Sequence, residues 1–278
     1  MDVITRPIDT PGFITEVREA GDGPTLVLIQ GGGTGKSAWN AAVERLAPRI
    51  HCVAFDNRGV GGASPVQDEN LTIADLARDA AAVIEALDEG PVHVAGVSLG
   101  GFIAMRLAAM RPDLVRTLTL HATAAKLDQR TIDQGHFRAQ LIDLELPNTG
   151  GLIRSYLRAW AAGSRGLLAE LPGDVVSHSE FSRQNYLGHL AAIRGHDMTA
   201  EELATIQAPT LITAGAEDIL CSLENARFMQ RNIPNSQLVI LERAGHVYYF
   251  EEPELTAALQ EGWIIQAESS SVAAESKA

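Results

Sequence analysis

The stretch of residues 92–101 constrains most strongly what this chain can fold into. Its first part, residues 92–97, is a short apolar run typical of a buried parallel strand, and the Ala-, Leu- and Met-rich segment 102–110 has helical spacing. Between them lies a Gly-x-Ser-x-Gly sequence centred on Ser98. We therefore expect a sharp strand-to-helix turn that holds the Ser98 hydroxyl above the carboxyl edge of a sheet.

The residues beside Ser98 fit a serine nucleophile. Gly96 and Gly100 have no Cβ at positions where one would collide with the strand or the helix. The helix that follows points free backbone N–H groups at the hydroxyl, so the Leu99 N–H is predicted to bind negative charge that develops beside the serine. Gly-x-Ser-x-Gly also occurs by chance, but the flanking strand and helix favour a nucleophile with half of an oxyanion hole.

Length and charge limit the architecture and the partners of the protein. The 278 residues suffice for one large α/β core with an insertion, or for two modest domains. A formal net charge of −13 argues against nucleic acid or an anionic membrane as a partner, because both require a basic face. Residues 1–11 lack a secretory pattern and no apolar run is long enough to span a bilayer, so a cytoplasmic location is expected.

Apolar runs alternate with helical segments in both halves of the chain. Helices are predicted at residues 37–46, 71–87 and 224–232, in addition to the one behind Ser98. At the start of the second, Thr72 and Asp75 are suitably spaced for a capping box. This rhythm predicts a doubly wound, mostly parallel α/β sheet whose ligands bind at the carboxyl ends of the strands. The first two strands are expected to form an antiparallel edge. The predicted strands besides 92–97 are 3–8, 13–20, 25–30, 51–55, 115–120, 209–214 and 237–241.

The alternation breaks between residues 125 and 200. Three helical stretches, 137–146, 152–162 and 181–193, follow one another without an intervening strand. We predict a helical cap at 125–200, inserted into a core domain of residues 1–124 and 201–265 and followed by a disordered tail at 266–278. Tyr156 and Trp160 are candidate substrate-binding residues of this cap, or else members of its own apolar core.

A glycine-rich loop follows the predicted strand 25–30. Gly31, Gly32 and Gly33 let the backbone approach a substrate closely. The Gly32 N–H is predicted as the second oxyanion donor. The next residues, Lys36-Ser37, are also compatible with a phosphate-binding P-loop, but that motif needs a glycine where Gln30 stands, so the P-loop interpretation is not favoured.

A histidine and two acids follow the last two predicted strands. A serine hydroxyl needs a base that titrates near neutral pH and a carboxylate that holds the imidazole tautomer. His246 and Asp218 fit these roles, since each follows a strand and so lies at the same sheet edge as Ser98. Glu217 is an alternative acid, adjacent to Asp218 but on the opposite side of an extended backbone. The chain order Ser, Asp, His is that of the nucleophile-elbow architecture.

Neither a metal nor an organic cofactor is predicted. Cys52 and Cys221 are far apart and lack metal-ligand spacing, which supports neither a disulfide framework nor a zinc site. A divalent ion held by His121, Asp218 and His246 is an alternative, but it would occupy the lone pair that His246 needs as a base. A small-molecule substrate is expected, without nucleic acid or membrane partners, and the oligomeric state is left open.

Five motifs stand in order along the chain. They are the glycine loop at 31–35, Asp56-x-Arg58-Gly59-x-Gly61, Gly96-Val97-Ser98-Leu99-Gly100-Gly101, Gly215-Ala216-Glu217-Asp218 and Gly245-His246. Together they resemble the α/β-hydrolase fold family over about residues 10–265. The resemblance implies the fold and the Ser-Asp-His triad, but not the substrate, because the family includes esterases, lactonases, thioesterases, carbon–carbon bond hydrolases and cofactor-free haloperoxidases.

Two loops resemble different branches of that family. Residues 31–39 resemble the oxyanion loop of carbon–carbon hydrolases of aromatic ring cleavage. Residues 56–61 are closer to the esterase, enol-lactonase and haloperoxidase-like branch. Gln30-Gly31 departs from the His-Gly of many relatives, which leaves the substrate class open more than the activity.

Three functions are therefore carried forward from the sequence. The first is hydrolysis of a small or medium carboxylic ester or lactone through an acyl-enzyme on Ser98, with His246 as base and then as acid. The second is carbon–carbon bond hydrolysis, or another non-ester reaction, with the same triad. The third is a non-catalytic ligand-binding member of the fold, which the intact triad disfavours.

Overall fold

A single eight-stranded sheet organises the protein, and the computed structural model describes residues 2–67, 70–143 and 182–275. The strands are β1 (Val3–Thr10), β2 (Phe13–Ala20), β3 (Thr25–Ile29), β4 (His51–Phe55), β5 (Val92–Val97), β6 (Val115–His121), β7 (Thr210–Gly215) and β8 (Ser236–Leu241). Their order is β1-β2-β4-β3-β5-β6-β7-β8. Strands β3 to β8 are parallel, whereas β1 and β2 form the predicted antiparallel edge.

Helices fill most of the connections between the parallel strands. Short 3₁₀ turns stand at Lys36–Trp39 and Pro112–Leu114. The helices of the described residues are α1 (Asn40–Leu46), α2 (Ile73–Leu87), α3 (Leu99–Met110), α4 (Gln129–Asp143), α5 (Arg183–Arg194), α6 (Ala200–Ala204), α7 (Leu223–Asn232), α8 (Tyr248–Glu251) and α9 (Pro253–Glu275). None of these helices is both long and apolar enough to cross a membrane.

Strand β3 shows that helices cover both faces of the sheet. Val27 and Ile29 join one apolar cluster, which includes residues of α2, α3 and α7. Leu26 and Leu28 join a second cluster, which includes residues of α1 and α9. All four side chains are fully buried, because successive residues of a strand point to opposite faces and helices pack on each. The doubly wound, mostly parallel sheet predicted from the sequence is thereby confirmed.

The start of α2 follows from a local signal in the sequence. Thr72 Oγ1 accepts a hydrogen bond from the Asp75 N–H at 3.1 Å, and Asp75 Oδ2 accepts one from the Thr72 N–H at 3.0 Å. This capping box satisfies two backbone donors that the first helical turn leaves without partners. It fixes the helix start two residues later than the segment 71–87 predicted from periodicity.

Helices α4 and α5 lie between β6 and β7 in the chain, within the segment 125–200 that the sequence predicts as a cap. Helix α4 begins earlier than the predicted stretch 137–146, because Asp128 Oδ1 accepts a hydrogen bond from the Thr131 N–H at 2.8 Å. The predicted stretch 152–162, with Tyr156 and Trp160, lies outside the described residues. The boundaries of the cap and core domains stay a prediction.

The C-terminal helix corrects the prediction of a disordered tail from residue 266. Helix α9 continues to Glu275, while residues 276–278 lie outside the described part of the chain. Glu268 is held by Arg116 of β6, with 2.7 Å between the two side chains. The Ser269 and Ser270 hydroxyls donate to carbonyls one turn earlier, at 2.8 and 2.9 Å. Helix α9 thus continues through polar residues whose composition is typical of disorder, with their side chains bonded to Arg116 and to the helix backbone.

Candidate active site

Ser98 occupies a strained turn between the buried strand β5 and helix α3. Its backbone has φ 54° and ψ −117°, outside the helical region. Two contacts with the end of β6 hold this conformation: the Ser98 N–H donates to the His121 carbonyl at 3.0 Å, and the Thr123 hydroxyl donates to the Ser98 carbonyl at 2.8 Å. The nucleophile elbow predicted from Gly-x-Ser-x-Gly is therefore present, with the serine half-buried.

The two glycines of the elbow are required by close packing of the backbone. A Cβ on Gly96 would stand 2.1 Å from the carbonyl oxygen of Gly100. A Cβ on Gly100 would stand 2.1 Å from the carbonyl oxygen of Ile29 in β3. These neighbours are backbone atoms, so they cannot rotate away as a flexible side chain would.

Replacing Gly100 by alanine is expected to lower the free energy of unfolding by about 3 kcal/mol or more, because α3 must move away from β3. Urea unfolding followed by circular dichroism measures this loss. Gly262→Ala is the matched control, since no atom of the described residues lies within 4 Å of its added Cβ in the exposed part of α9. That variant is expected to gain up to about 1 kcal/mol. Equal stability of the two variants would contradict the close approach of α3 to β3.

Ser98, His246 and Asp218 form one hydrogen-bonded row at the carboxyl edge of the sheet. His246 Nε2 lies 3.0 Å from Ser98 Oγ, and His246 Nδ1 lies 2.8 Å from Asp218 Oδ2. With the ring proton on Nδ1, His246 donates to the carboxylate and accepts from the serine hydroxyl. Asp218 and His246 are only 6% and 7% exposed, so both interactions are shielded from water.

The turn after β7 fixes the carboxylate of Asp218. Its Oδ1 accepts hydrogen bonds from the N–H groups of Leu220 at 2.8 Å and Cys221 at 2.9 Å, which leaves Oδ2 for the imidazole. The neighbouring Glu217 is exposed, and its N–H donates to the Ala244 carbonyl at 2.9 Å. Of the two acids that the sequence offers, the structure places Asp218 against His246.

Helix α4 holds this acid turn from the other side. Arg130 donates to the Ile219 carbonyl at 2.7 Å, and the Thr131 hydroxyl donates to the Leu220 carbonyl at 3.0 Å. No local sequence pattern marks these two residues, because their contacts span about ninety positions of the chain. The first turn of α4 and the turn that carries Asp218 are thus one hydrogen-bonded unit.

The buried Tyr248 connects the loop that carries His246 to two strand ends. Its hydroxyl donates to the Thr213 carbonyl of β7 at 2.9 Å and accepts from the Ala122 N–H at 2.9 Å. Ala122 follows β6 with a positive φ of 44°, a conformation that this hydrogen bond helps to hold. Burial raises the pKa of the Tyr248 phenol, so the group is neutral and available as a donor. No local pattern in the sequence marks Tyr248 as part of this site.

The glycine loop after β3 lies against the serine turn. A Cβ on Gly31 would stand 3.5 Å from Ser98 Cβ, and one on Gly32 would stand 3.6 Å from Leu99 Cδ2. Gly33 has a positive φ of 72°, which favours glycine. The structure thus brings together the two segments whose N–H groups, those of Gly32 and Leu99, are the predicted oxyanion donors.

The base of the glycine loop does not resemble a phosphate site. Lys36 Nζ and the Lys36 N–H both lie 2.7 Å from the carboxylate of the buried Asp56, so this cation is already paired. The fully buried Gln30 donates through its side-chain NH₂ to the Phe55 carbonyl, and its backbone carbonyl accepts from the Asn57 side chain at 3.2 Å. Gln30 therefore ties the loop to β4, which agrees with a role in loop shape.

Helix α5 covers the glycine loop. Ile193 Cδ1 would lie 3.4 Å from a Cβ on Gly32, and Tyr186 Cε2 would lie 3.7 Å from one on Gly33. His189 anchors this helix, since its Nε2–H donates to the Arg58 carbonyl at 2.7 Å. Burial lowers the pKa of His189, which keeps the ring neutral. Ile193 and Tyr186 of α5 thus lie close to the predicted oxyanion loop.

His121 is engaged away from Asp218 and His246. Its Nδ1 lies 2.7 Å from Thr213 Oγ1, and its Nε2 lies 3.2 Å from Gln260 Oε1 of α9. The metal site that the sequence suggested with His121 is therefore not assembled among the described residues. Burial lowers the pKa of His121 from 6.5 to about 4, because the charged ring is poorly solvated there.

The buried His121 is expected to make folding stability depend on pH. Between pH 6.5 and 4 the unfolded chain binds a proton that the folded chain does not, so the free energy of unfolding falls as the pH falls through this window. Between pH 7 and 5 the loss due to one such group is about 2 kcal/mol. Urea unfolding of His121→Gln at both pH values should show a loss smaller by this amount. His136→Gln, at an exposed position of α4, should behave as the wild type, and identical losses in all three proteins would contradict the assignment.

Residues 24–253 match the family described as the alpha/beta hydrolase fold. RutD from Pseudomonas syringae pv. syringae, a proposed carbamate hydrolase, is 28% identical over 236 residues, which cover 84% of this chain and 90% of that protein. The 3-oxoadipate enol-lactonase 1 of Acinetobacter baylyi is 27% identical over 245 residues, 87% of this chain and 88% of that protein.

A likeness in three dimensions agrees with these matches. The solved structure of a thermophilic esterase from Thermogutta terrifontis is similar with a TM-score of 0.81 at 21% identity, over 96% of this chain and 99% of the esterase. At this identity the likeness concerns the fold alone. The family match, in contrast, extends from β3 to the first residue of α9 and includes every member of the hydrogen-bonded row. The chain is a hydrolase that belongs to the alpha/beta hydrolase fold family.

Proposed function

We propose that the protein hydrolyses a small or medium carboxylic ester or lactone through an acyl-enzyme on Ser98. The observation that carries this proposal is the row Ser98, His246, Asp218, with heavy-atom separations of 3.0 and 2.8 Å. A base within hydrogen-bond reach of a hydroxyl, itself oriented by a carboxylate, is the arrangement that makes serine a nucleophile.

In the first half of the reaction, His246 Nε2 takes the hydroxyl proton while Ser98 Oγ bonds to the substrate carbonyl carbon. The carbonyl oxygen becomes an anion, and the N–H groups of Gly32 and Leu99 are the donors proposed to stabilise it. His246 then gives its proton to the leaving alcohol oxygen as the carbon–oxygen bond breaks. In a lactone this alcohol stays attached to the acyl group.

In the second half, a water molecule takes the place of the alcohol. His246 removes one proton from the water, whose oxygen attacks the acyl carbon. The bond between that carbon and Ser98 Oγ then breaks, the imidazolium returns the proton to Oγ, and the carboxylic acid leaves. Asp218 stabilises the imidazolium in both halves. This cycle regenerates the enzyme without a metal or an organic cofactor, which is part of the proposal.

The relatives support an acyl-transfer reaction on a small molecule. One is named for an enol-lactone and one for a proposed carbamate substrate, and both are matched over most of their length. Esters, lactones and carbamates share a carbonyl that bears a leaving oxygen or nitrogen, so one triad serves all of them. Within this set, we place esters and lactones first, as the loop at 56–61 favours that branch.

A substrate panel tests the proposal. Chromogenic esters of increasing acyl length, aliphatic lactones, an enol-lactone, a carbamate and a vinylogous diketone are compared by kcat/KM. Turnover of an ester or lactone, with an acyl group on Ser98 found by mass spectrometry after rapid quenching, supports it. Preferred turnover of the diketone would favour the carbon–carbon hydrolase instead, and no turnover of any compound would favour a ligand-binding protein.

A further inference from the structure

A buried thiol stands next to the hydrogen-bonded row, and the proposed reaction does not use it. Cys221 is 4% exposed and lies in the turn between β7 and α7. Its Sγ, a carboxylate oxygen of Asp218 and a ring nitrogen of His246 all lie within 4.8 Å of one another. Sulfur, nitrogen and oxygen ligands thus converge on one point at the carboxyl edge of the sheet.

This donor set matches the preference of thiophilic divalent cations. Zinc binds cysteine sulfur at about 2.3 Å, and histidine nitrogen and carboxylate oxygen at about 2.0–2.2 Å, in a tetrahedron whose corners are about 3.3–3.8 Å apart. Ligand atoms within 4.8 Å of one another reach that spacing through side-chain shifts of about 1 Å. Hard cations such as Mg²⁺ prefer oxygen ligands alone and do not fit a site with a thiol.

We propose that Asp218, Cys221 and His246 form an inhibitory site for a thiophilic divalent cation, with Zn²⁺ as the representative ligand. The effect on turnover rests on the proposed function, whereas the binding does not. Within His246 the ligand is Nδ1, because this nitrogen faces Asp218 while Nε2 faces Ser98 Oγ at 3.0 Å.

Binding at Nδ1 changes the tautomer of the imidazole. The Cys221 thiol releases its proton to the solvent, and the single proton of the neutral ring moves from Nδ1 to Nε2. Nε2–H then points at Ser98 Oγ and has no lone pair to accept the hydroxyl proton. The cation therefore stops catalysis without contacting the serine, and its removal by a chelator restores the original tautomer.

The first test is inhibition of the hydrolytic reaction by ZnCl₂, with MgCl₂ as the comparison. The wild type is measured beside Cys221→Ser and beside Cys52→Ser, which removes the other buried cysteine of the chain. Each rate is divided by the metal-free rate of the same protein. We expect Cys221→Ser to need at least about tenfold more Zn²⁺ for half-inhibition than the other two proteins, and EDTA to reverse the inhibition. Equal sensitivity of all three proteins would overturn the site.

The second test measures binding and needs no turnover. Titration with CdCl₂ is expected to produce a thiolate-to-cadmium ultraviolet absorption with one equivalent bound. Cys52→Ser decides the assignment even if Cys221 variants fail to fold, because Cys221 is then the sole thiol among the two cysteines of the sequence. Absorption by this variant supports the site and its absence overturns the site. Absorption in a protein that turns over no substrate would contradict only the proposed hydrolytic function.

Discussion

Ser98→Ala is expected to lower kcat/KM by about a thousandfold or more, with little change in thermal stability. One oxygen is lost at a half-buried turn, and the hydrogen bonds that hold this turn come from the backbone and Thr123, so they remain. The acyl-enzyme cannot form without Oγ. Steady-state kinetics on the best substrate of the panel, together with thermal unfolding, measures the two effects separately.

Ser269→Ala is the matched control, since it removes the same atom from an exposed turn of α9. It is expected to keep the wild-type rate. If Ser98→Ala retained a rate within about tenfold of the wild type, Ser98 would not be the nucleophile. The folded inactive variant also serves in the cadmium titration, because it keeps all three proposed metal ligands.

Asp218→Asn is expected to lower kcat by about a thousandfold to ten-thousandfold. The asparagine carbonyl can still accept from the N–H groups of Leu220 and Cys221, so its NH₂ group faces His246 Nδ1. A donor at that place favours the tautomer with the ring proton on Nε2. Since Nε2 then cannot accept the Ser98 proton, kcat falls while KM changes little.

Glu217→Gln separates the two neighbouring acids. Glu217 is exposed, whereas Asp218 is buried against the imidazole, so the same chemical change is expected to leave kcat within about twofold of the wild type. Comparable losses in both variants would mean that the charge of this turn matters rather than one oriented carboxylate. A loss in Glu217→Gln alone would mean that Glu217, and not Asp218, is the acid that orients His246.

The sequence predicts those features of the fold that residues close together in the chain determine. The elbow needs glycine at positions 96 and 100 because backbone atoms would meet a Cβ at 2.1 Å, and this need is visible as Gly-x-Ser-x-Gly. The start of α2 is visible as Thr72 with Asp75. The central strands are visible as apolar runs because helices cover both faces of the sheet.

The parts that escaped prediction depend on partners far away in the chain. The last turns of α9 have a polar composition, and their Glu268 pairs with Arg116, 152 positions earlier in the chain. In the sequence, Tyr248 is one of three consecutive aromatic residues at 248–250. Only its contacts with Thr213 and Ala122 distinguish it from the other two. Alternation of side chains along an extended backbone predicts that only one of the adjacent acids faces the imidazole, and in the structure that acid is Asp218.

The contacts that anchor helices α4 and α5 limit where the segment predicted as a cap can be exchanged for the corresponding segment of a relative. Arg130 and Thr131 donate hydrogen bonds to the turn that carries Asp218, and His189 donates one to the Arg58 carbonyl. A chimaera whose junction lies before Arg130 would lose these hydrogen bonds to the turn that carries Asp218. Its catalytic rate is therefore expected to fall. Junctions placed after Thr131 and before Asn185, which accepts from the Val66 N–H at 3.0 Å, retain the anchoring contacts of both helices. Exchange of the segment between these two junctions is therefore expected to leave the hydrogen-bonded row of Ser98, His246 and Asp218 in place.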